Sequence, residues 1–80
     1  MTTEETIIQI IGITFNTETK NKSIADCIPE RIEGWDSLSF LNLVTLFEEE
    51  FNISFDMEDI SAMSVGGEEM LRIIIKLTGM

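Results

Sequence analysis

The stretch from residue 36 to residue 51 carries the clearest helical periodicity in the chain. At 100° per residue its apolar side chains fall on one side of a helix, and they are Phe40, Leu43, Val44, Phe47 and Phe51. Leu38 is the one apolar exception, because it falls on the opposite side within a narrow stripe. This stripe consists of Leu38, Asn42, Thr45 and Glu49. An amphipathic helix of this kind predicts a bundle in which the apolar side is buried.

A capping box predicts where the first helix begins. Thr2 and Glu5 have the required spacing, and isoleucines at helical spacing follow them. We expect this helix over about residues 3–14, with Gly12 as its stop signal. From residue 14 to residue 35 the periodicity fades, and this connection is long for so small a domain. Isoleucines four residues apart are spaced to pin the connection to the core through a short helical turn, and they are Ile24, Ile28 and Ile32.

The C-terminal part of the chain predicts a short helix followed by a longer one. Asp56 starts a brief helix to about residue 63, and Ser64 is placed to cap a last helix that ends near residue 77. Gly66–Gly67 should weaken the first turn of that last helix. The predicted fold is therefore all-α: one domain over residues 1–80, a small four-helix bundle with three longer helices, one short helix and a long first loop. Its expected core residues are Ile7, Ile11, Leu43, Phe47, Phe51, Ile60, Leu71 and Ile75.

The composition excludes several classes of function. Fifteen acidic and five basic residues give a formal charge of −10, which disfavours nucleic acids and anionic membranes and favours basic protein surfaces. With no histidine and with Cys27 as the single cysteine, the chain lacks the residues for a zinc site, an intrachain disulfide or a Cys–His pair. We expect no metal, no catalytic residue and no enzymatic activity. No apolar run is long enough for a signal peptide or a membrane span, so we expect a cytoplasmic monomer.

The most informative motif is Gly34-Trp35-Asp36-Ser37-Leu38, where the long connection meets the best helix. Ser37 would occupy the first helical turn, where free backbone N–H groups and the helix dipole favour a phosphate. A serine that bears a phosphodiester is therefore well placed here. The plainer alternative is that Asp36 is an N-cap and Ser37 simply follows it, and the motif alone leaves both interpretations open.

This motif, together with the residues that follow it, resembles the acyl carrier protein family. The matching residues after the motif are Leu41, Leu43, Val44, Phe47-Glu48-Glu49-Glu50-Phe51 and Ile53. The resemblance covers most of the chain, including the first helix, the long loop and the last two helices. It implies that Ser37 carries a covalent 4′-phosphopantetheine, transferred from coenzyme A by a separate magnesium-dependent phosphopantetheinyl transferase. Asp36 would help orient that transferase, whereas Ser39 does not match the attachment position.

The resemblance also implies how such a protein works. The thiol of the arm would hold acyl groups as thioesters for acyl-loading, acyl-transfer or condensing enzymes with basic docking surfaces. Glu48, Glu49 and Glu50 form an acidic run at the C-terminal end of the second helix, where negative charge opposes the macrodipole, and this favours a role in partner binding. The plainer alternative is a solvated face on a generally acidic protein. The predicted docking face consists of Leu38, Asn42, Thr45, Glu48 and Glu49.

Some positions depart from the fatty-acid carriers that this chain resembles. Ser39 and Asn42 stand where those carriers are typically acidic, and Phe40 stands where a small residue is common. Together with Trp35, these departures favour polyketide or another specialised biosynthesis over fatty-acid synthesis. The alternative function is that of an acidic helical protein-interaction module without a prosthetic group.

Overall fold

The computed structural model describes residues 2–79, and the elements in this range are α-helices and one 3₁₀ helix, without a strand. They are α1 (Thr3–Phe15), a 3₁₀ helix (Ile24–Asp26), α2 (Ser37–Phe51), α3 (Met57–Met63) and α4 (Gly67–Thr78). The predicted all-α fold with three longer helices, one short helix and a long first loop is confirmed. The radius of gyration, 11.3 Å, is close to the value of about 12 Å expected for a compact domain of this length.

The helices enclose a single apolar core. Helix α1 packs against α2 and α4, and α4 also packs against α3 and the 3₁₀ helix. The buried apolar residues are Ile7, Ile11, Ile24, Cys27, Ile32, Phe40, Leu43, Val44, Phe47, Phe55, Met63, Met70, Ile73 and Ile74. The predicted core residues Ile7, Ile11, Leu43 and Phe47 are buried. Phe51, Ile60 and Leu71, which were also predicted, are only partly buried.

The prediction for the core face of α4 was wrong at Ile75, which is 37% exposed. The buried face of α4 is formed by Met70, Ile73 and Ile74, which have the i, i+3, i+4 spacing of one helical stripe. Leu71 and Ile75 also share a stripe, but it lies about 100° further round the helix. The sequence pattern of α4 fits both stripes, and packing against α1 and α3 selects the first.

Both ends of α1 follow from local hydrogen bonds. The predicted capping box is confirmed, because the Thr2 hydroxyl accepts from the Glu5 N–H and the Glu5 carboxylate accepts from the Thr2 N–H, each at 3.1 Å. The helix does not stop at Gly12. It continues to Phe15 and ends at Asn16, which adopts the left-handed conformation at φ 51° and donates its N–H to carbonyl groups of the last turn. Asparagine tolerates this conformation, so it serves as the terminator here.

The junction between α3 and α4 differs from the prediction. Ser64 does not cap α4; its hydroxyl donates to the Ser61 carbonyl oxygen at 2.6 Å and so closes α3. The N-cap of α4 is Gly66 at φ 154°, without a side-chain cap. Gly67 follows, and its N–H donates to the Cys27 carbonyl oxygen at 2.7 Å, which ties α4 to the long connection.

The long connection is pinned to the core, as its isoleucines predict. Ile24 and Ile32 are buried, and Ile28 is half-buried beside Gly66. The short helical turn expected here is the 3₁₀ helix Ile24–Asp26. The connection therefore leads to the start of α2 along a fixed path.

Candidate functional site

Ser37 is the first residue of α2, and the residue before it shapes the helix start. Asp36 has extended backbone angles, φ −130° and ψ 179°, and one of its carboxylate oxygens accepts a hydrogen bond from the Ser39 N–H at 2.8 Å. Asp36 is thus the N-cap that one interpretation of the sequence predicts. Ser37 is exposed, and its hydroxyl has no hydrogen-bond partner within residues 2–79. This hydroxyl is therefore accessible from solvent.

Asp36 also distinguishes the two serines near the helix start. The backbone N–H of Ser39, and then its hydroxyl, hold the pKa of the Asp36 carboxyl below its ordinary value, so Asp36 is ionised at neutral pH. Ser39 is half-buried and engaged by this carboxylate, whereas Ser37 is neither. Because Asp36 already occupies the positive end of the helix, the attraction of that end for a phosphate is reduced. Ser37 therefore differs from Ser39 in its exposure to solvent, and the helix dipole does not distinguish the two serines.

An aromatic stack fixes the approach of the chain to this serine. The Trp35 ring lies between Phe15 of α1 and Phe40 of α2, with ring centroids 5.0 Å and 6.3 Å away and nearly parallel planes. Trp35 precedes the N-cap and Phe40 is the fourth residue of the helix, so this pair forms the apolar contact known as a hydrophobic staple. The stack holds the start of α2 against the end of α1.

A shallow depression opens beside Ser37. It has a volume of about 250 Å³, it is open to solvent, and it lies between the start of α2 and the end of α3. Its lining residues are Trp35, Asp36, Ser37, Phe40 and Ser64. Phe40 is buried in the aromatic stack at the floor of the depression rather than leaving an opening between the helices. The depression beside Ser37 is therefore shallow and partly apolar.

The stripe predicted on α2 is exposed along its whole length. Leu38, Asn42, Thr45 and Glu49 all face solvent, and Leu38 is 72% exposed. The Thr45 hydroxyl donates to the Leu41 carbonyl oxygen at 3.0 Å, so this hydroxyl serves the helix itself. Leu41 is 52% exposed and adds a second apolar side chain beside Leu38. The prediction that Leu38 is the one apolar exception on α2 was therefore wrong, because Leu41 and Leu46 are also exposed.

Glu48 differs from the rest of the predicted docking face. It is half-buried, and its carboxylate accepts a hydrogen bond from the Phe55 N–H at 3.0 Å, in the loop that joins α2 to α3. The Glu48 carbonyl oxygen also accepts from the Ile53 N–H. Glu48 therefore organises this loop, which is a structural reason for an acid at an unfavourable helix position. Glu49 is exposed and has no such bond within residues 2–79.

Comparison of the chain with protein-family models, with curated proteins and with solved structures finds no match. In the part of the chain that the structure describes, no helix has both the length and the apolar character needed to cross a membrane.

Proposed function

We propose that this protein is an acyl carrier protein, with 4′-phosphopantetheine attached to the Ser37 hydroxyl. The observation that carries the proposal is an exposed serine hydroxyl without a hydrogen-bond partner in residues 2–79. It belongs to the first residue of α2, the longest of the described helices, and directly follows an N-cap aspartate. The resemblance of the surrounding motif to the acyl carrier family gives this serine its role. The protein is then a substrate of enzymes and not an enzyme itself.

The residues around Ser37 fit such a group. The arm needs an accessible hydroxyl, space for a phosphodiester and no obstructing side chain, and Ser37 lies at the rim of an open depression. Trp35 and Phe40 provide an apolar floor on which part of the arm or its cargo can rest. The group supplies a thiol on a flexible tether, on which acyl cargo is held as a thioester and presented at high local concentration to each enzyme. We place its use in fatty-acid, polyketide or other specialised acyl biosynthesis in the cytoplasm.

The exposed stripe on α2 is the docking face in this proposal. Leu38 contributes apolar area near the attachment site, and Glu49 contributes charge that complements a basic partner surface. A contact confined to this stripe would be small, and small interfaces are typical of transient complexes. This suits a carrier that each enzyme must release in turn. The partners are the phosphopantetheinyl transferase and then the acyl-loading, acyl-transfer or condensing enzymes.

Intact-mass measurement after incubation with coenzyme A, Mg²⁺ and a broad-specificity phosphopantetheinyl transferase tests the proposal. We expect the mass to increase by one phosphopantetheine, and peptide mapping to place it on Ser37. The Ser37→Ala variant should stay unmodified, and Ser39→Ala should still be loaded because its hydroxyl faces Asp36. Trp35 is the only tryptophan and lines the same depression, so its fluorescence gives a second readout of loading.

An unmodified mass with several such transferases would refute the proposal. It would favour the alternative of an acidic helical interaction module without a prosthetic group. Modification of Ser39 would refute the assignment of the site but not of the carrier class. Ser37→Ala should melt at the wild-type temperature, because its hydroxyl makes no hydrogen bond within the described chain. That control separates loss of loading from loss of fold.

A further inference from the structure

A second exposed apolar surface lies between α1 and α2, and it includes none of the residues that line the depression beside Ser37. It is a groove of about 290 Å³ lined by Ile10, Ile13, Leu46, Glu49 and Glu50. Ile13 is 69% exposed and Leu46 is 37% exposed. Full burial of a side chain of this type stabilises a fold by about 1.5–3 kcal/mol. Exposure of Ile13, and partial exposure of Leu46, therefore does not stabilise this fold.

Two acids form the rim of this groove, and the fold does not explain their placement. Glu49 and Glu50 lie in the last turn of α2, where carboxylates oppose the helix dipole. Neither makes an ion pair or a side-chain hydrogen bond within residues 2–79. Glu48 in the same turn does have a structural partner, the Phe55 N–H. The two carboxylates that lack a structural partner therefore lie beside the exposed apolar side chains of the groove.

We propose that this groove docks a positively charged segment of a partner protein through one large apolar side chain. The apolar floor of the groove would bury this side chain, which serves as the anchor. The two unpaired carboxylates would attract lysine or arginine residues next to the anchor. The groove volume, about 290 Å³, lies at the lower end of the range for small-molecule pockets, which suits a single side chain better than a whole cofactor. The groove shares Glu49 with the docking face proposed on α2, but its apolar residues and Glu50 lie outside that face, and the inference does not require Ser37 to be modified.

Binding of two matched peptides to the unmodified, full-length protein tests this proposal. The first probe is the peptide Lys-Lys-Phe-Lys-Lys, and the second is Lys-Lys-Gly-Lys-Lys, which has the same charge but no anchor. We expect the first to bind about fivefold or more tightly at low salt, because only it buries an apolar side chain. Amide chemical shifts in nuclear magnetic resonance spectra should change at Ile10, Ile13, Leu46 and Glu50. Equal affinity of the two peptides, or shifts spread over all acidic segments, would overturn the proposal.

Two variants outside the stripe of α2 separate the apolar and electrostatic contributions. Ile13→Asn keeps the net charge and should remove the preference for the phenylalanine peptide. Glu50→Lys should weaken both peptides, more than Glu33→Lys does, although the two substitutions change the net charge equally. Glu33 is exposed in the long connection and does not line the groove. If Ile13→Asn keeps the preference, or if Glu33→Lys weakens binding as much as Glu50→Lys, the groove is not the binding site.

Discussion

The packing of Gly67 against the long connection predicts that an alanine at this position destabilises the fold. A Cβ built on Gly67 would lie 2.8 Å from the Ile24 carbonyl oxygen and 3.0 Å from both the Ile24 Cδ1 and the Cys27 Cβ. The first of these atoms belongs to the backbone, which cannot rotate away. The Gly67 N–H bond to the Cys27 carbonyl oxygen, at 2.7 Å, holds the same segment in place. The added methyl group must therefore displace either α4 or the connection.

Two opposing effects determine the magnitude for Gly67→Ala. Alanine favours a helix by up to about 1 kcal/mol relative to glycine, which would stabilise the variant. Overpacking of a tight contact costs about 1–3 kcal/mol, which is larger. We expect a net loss of about 1–2 kcal/mol, or about 5–15 °C in Tm for a domain of this size.

Thermal unfolding followed by far-ultraviolet circular dichroism measures this difference. Ser61→Ala is the control, because Ser61 is exposed in α3 and its side chain makes no hydrogen bond within residues 2–79. Its free energy of unfolding should change by less than about 0.5 kcal/mol. A higher Tm for Gly67→Ala would refute the reasoning, since it would mean that helix propensity outweighs the contact with Ile24.

Three further predictions follow from the polar groups and the net charge. Asp36→Ala should lower Tm, whereas Asp36→Asn should keep most of the stability at neutral pH, because asparagine is an equally good N-cap; equal losses would mean that charge and not capping matters. Since the pKa of Asp36 is lowered, its contribution is present above the ordinary pKa and is lost as the pH falls below about 4, and Asp36→Asn should reduce that loss in an acid titration. Glu48→Ala should cost about 1 kcal/mol by leaving the Phe55 N–H without its acceptor. Glu49→Ala should leave Tm unchanged or raise it slightly, since it removes a carboxylate that opposes the helix dipole. Moderate salt should raise Tm by screening a formal charge of −10, and an unchanged or lower Tm would contradict mutual repulsion among the acids.

The fold was readable from the sequence where local chemistry determines it. The capping box at Thr2 and the periodicity of α2 depend on neighbours within a few residues, so both predictions were confirmed. The start of α4 was not readable, because it depends on contacts of Gly67 with residues of the long connection, which are distant in sequence. Two glycines in a row look like a weakness of a helix until the opposing backbone is known.

The candidate site was predictable only where it depends on neighbours in the sequence. The exposure of Ser37 follows from its place beside an N-cap aspartate, a local feature of the motif. The aromatic stack was not predicted, since Phe15 reaches Trp35 only once α1 and α2 are packed together. The role of Glu48 was also hidden, because its partner, the Phe55 N–H, lies beyond the turn that follows α2. Glutamates that are adjacent in sequence therefore looked equivalent.

The net charge of this protein is by itself weak evidence for partner binding, because many of its carboxylates have a structural role in the fold. Several carboxylates accept backbone N–H groups, namely Glu5, Glu18, Asp26, Asp36, Glu48, Asp56 and Asp59. Others lie in the first turn of a helix, where the dipole favours them, and they are Glu4, Glu58, Glu68 and Glu69. Glu30, Glu33, Glu49 and Glu50 have neither role within residues 2–79. Of these four, Glu49 and Glu50 line the groove beside exposed apolar side chains. Recognition by a basic partner should therefore depend on where a carboxylate lies, and substitutions that change the net charge equally should differ in their effect on binding.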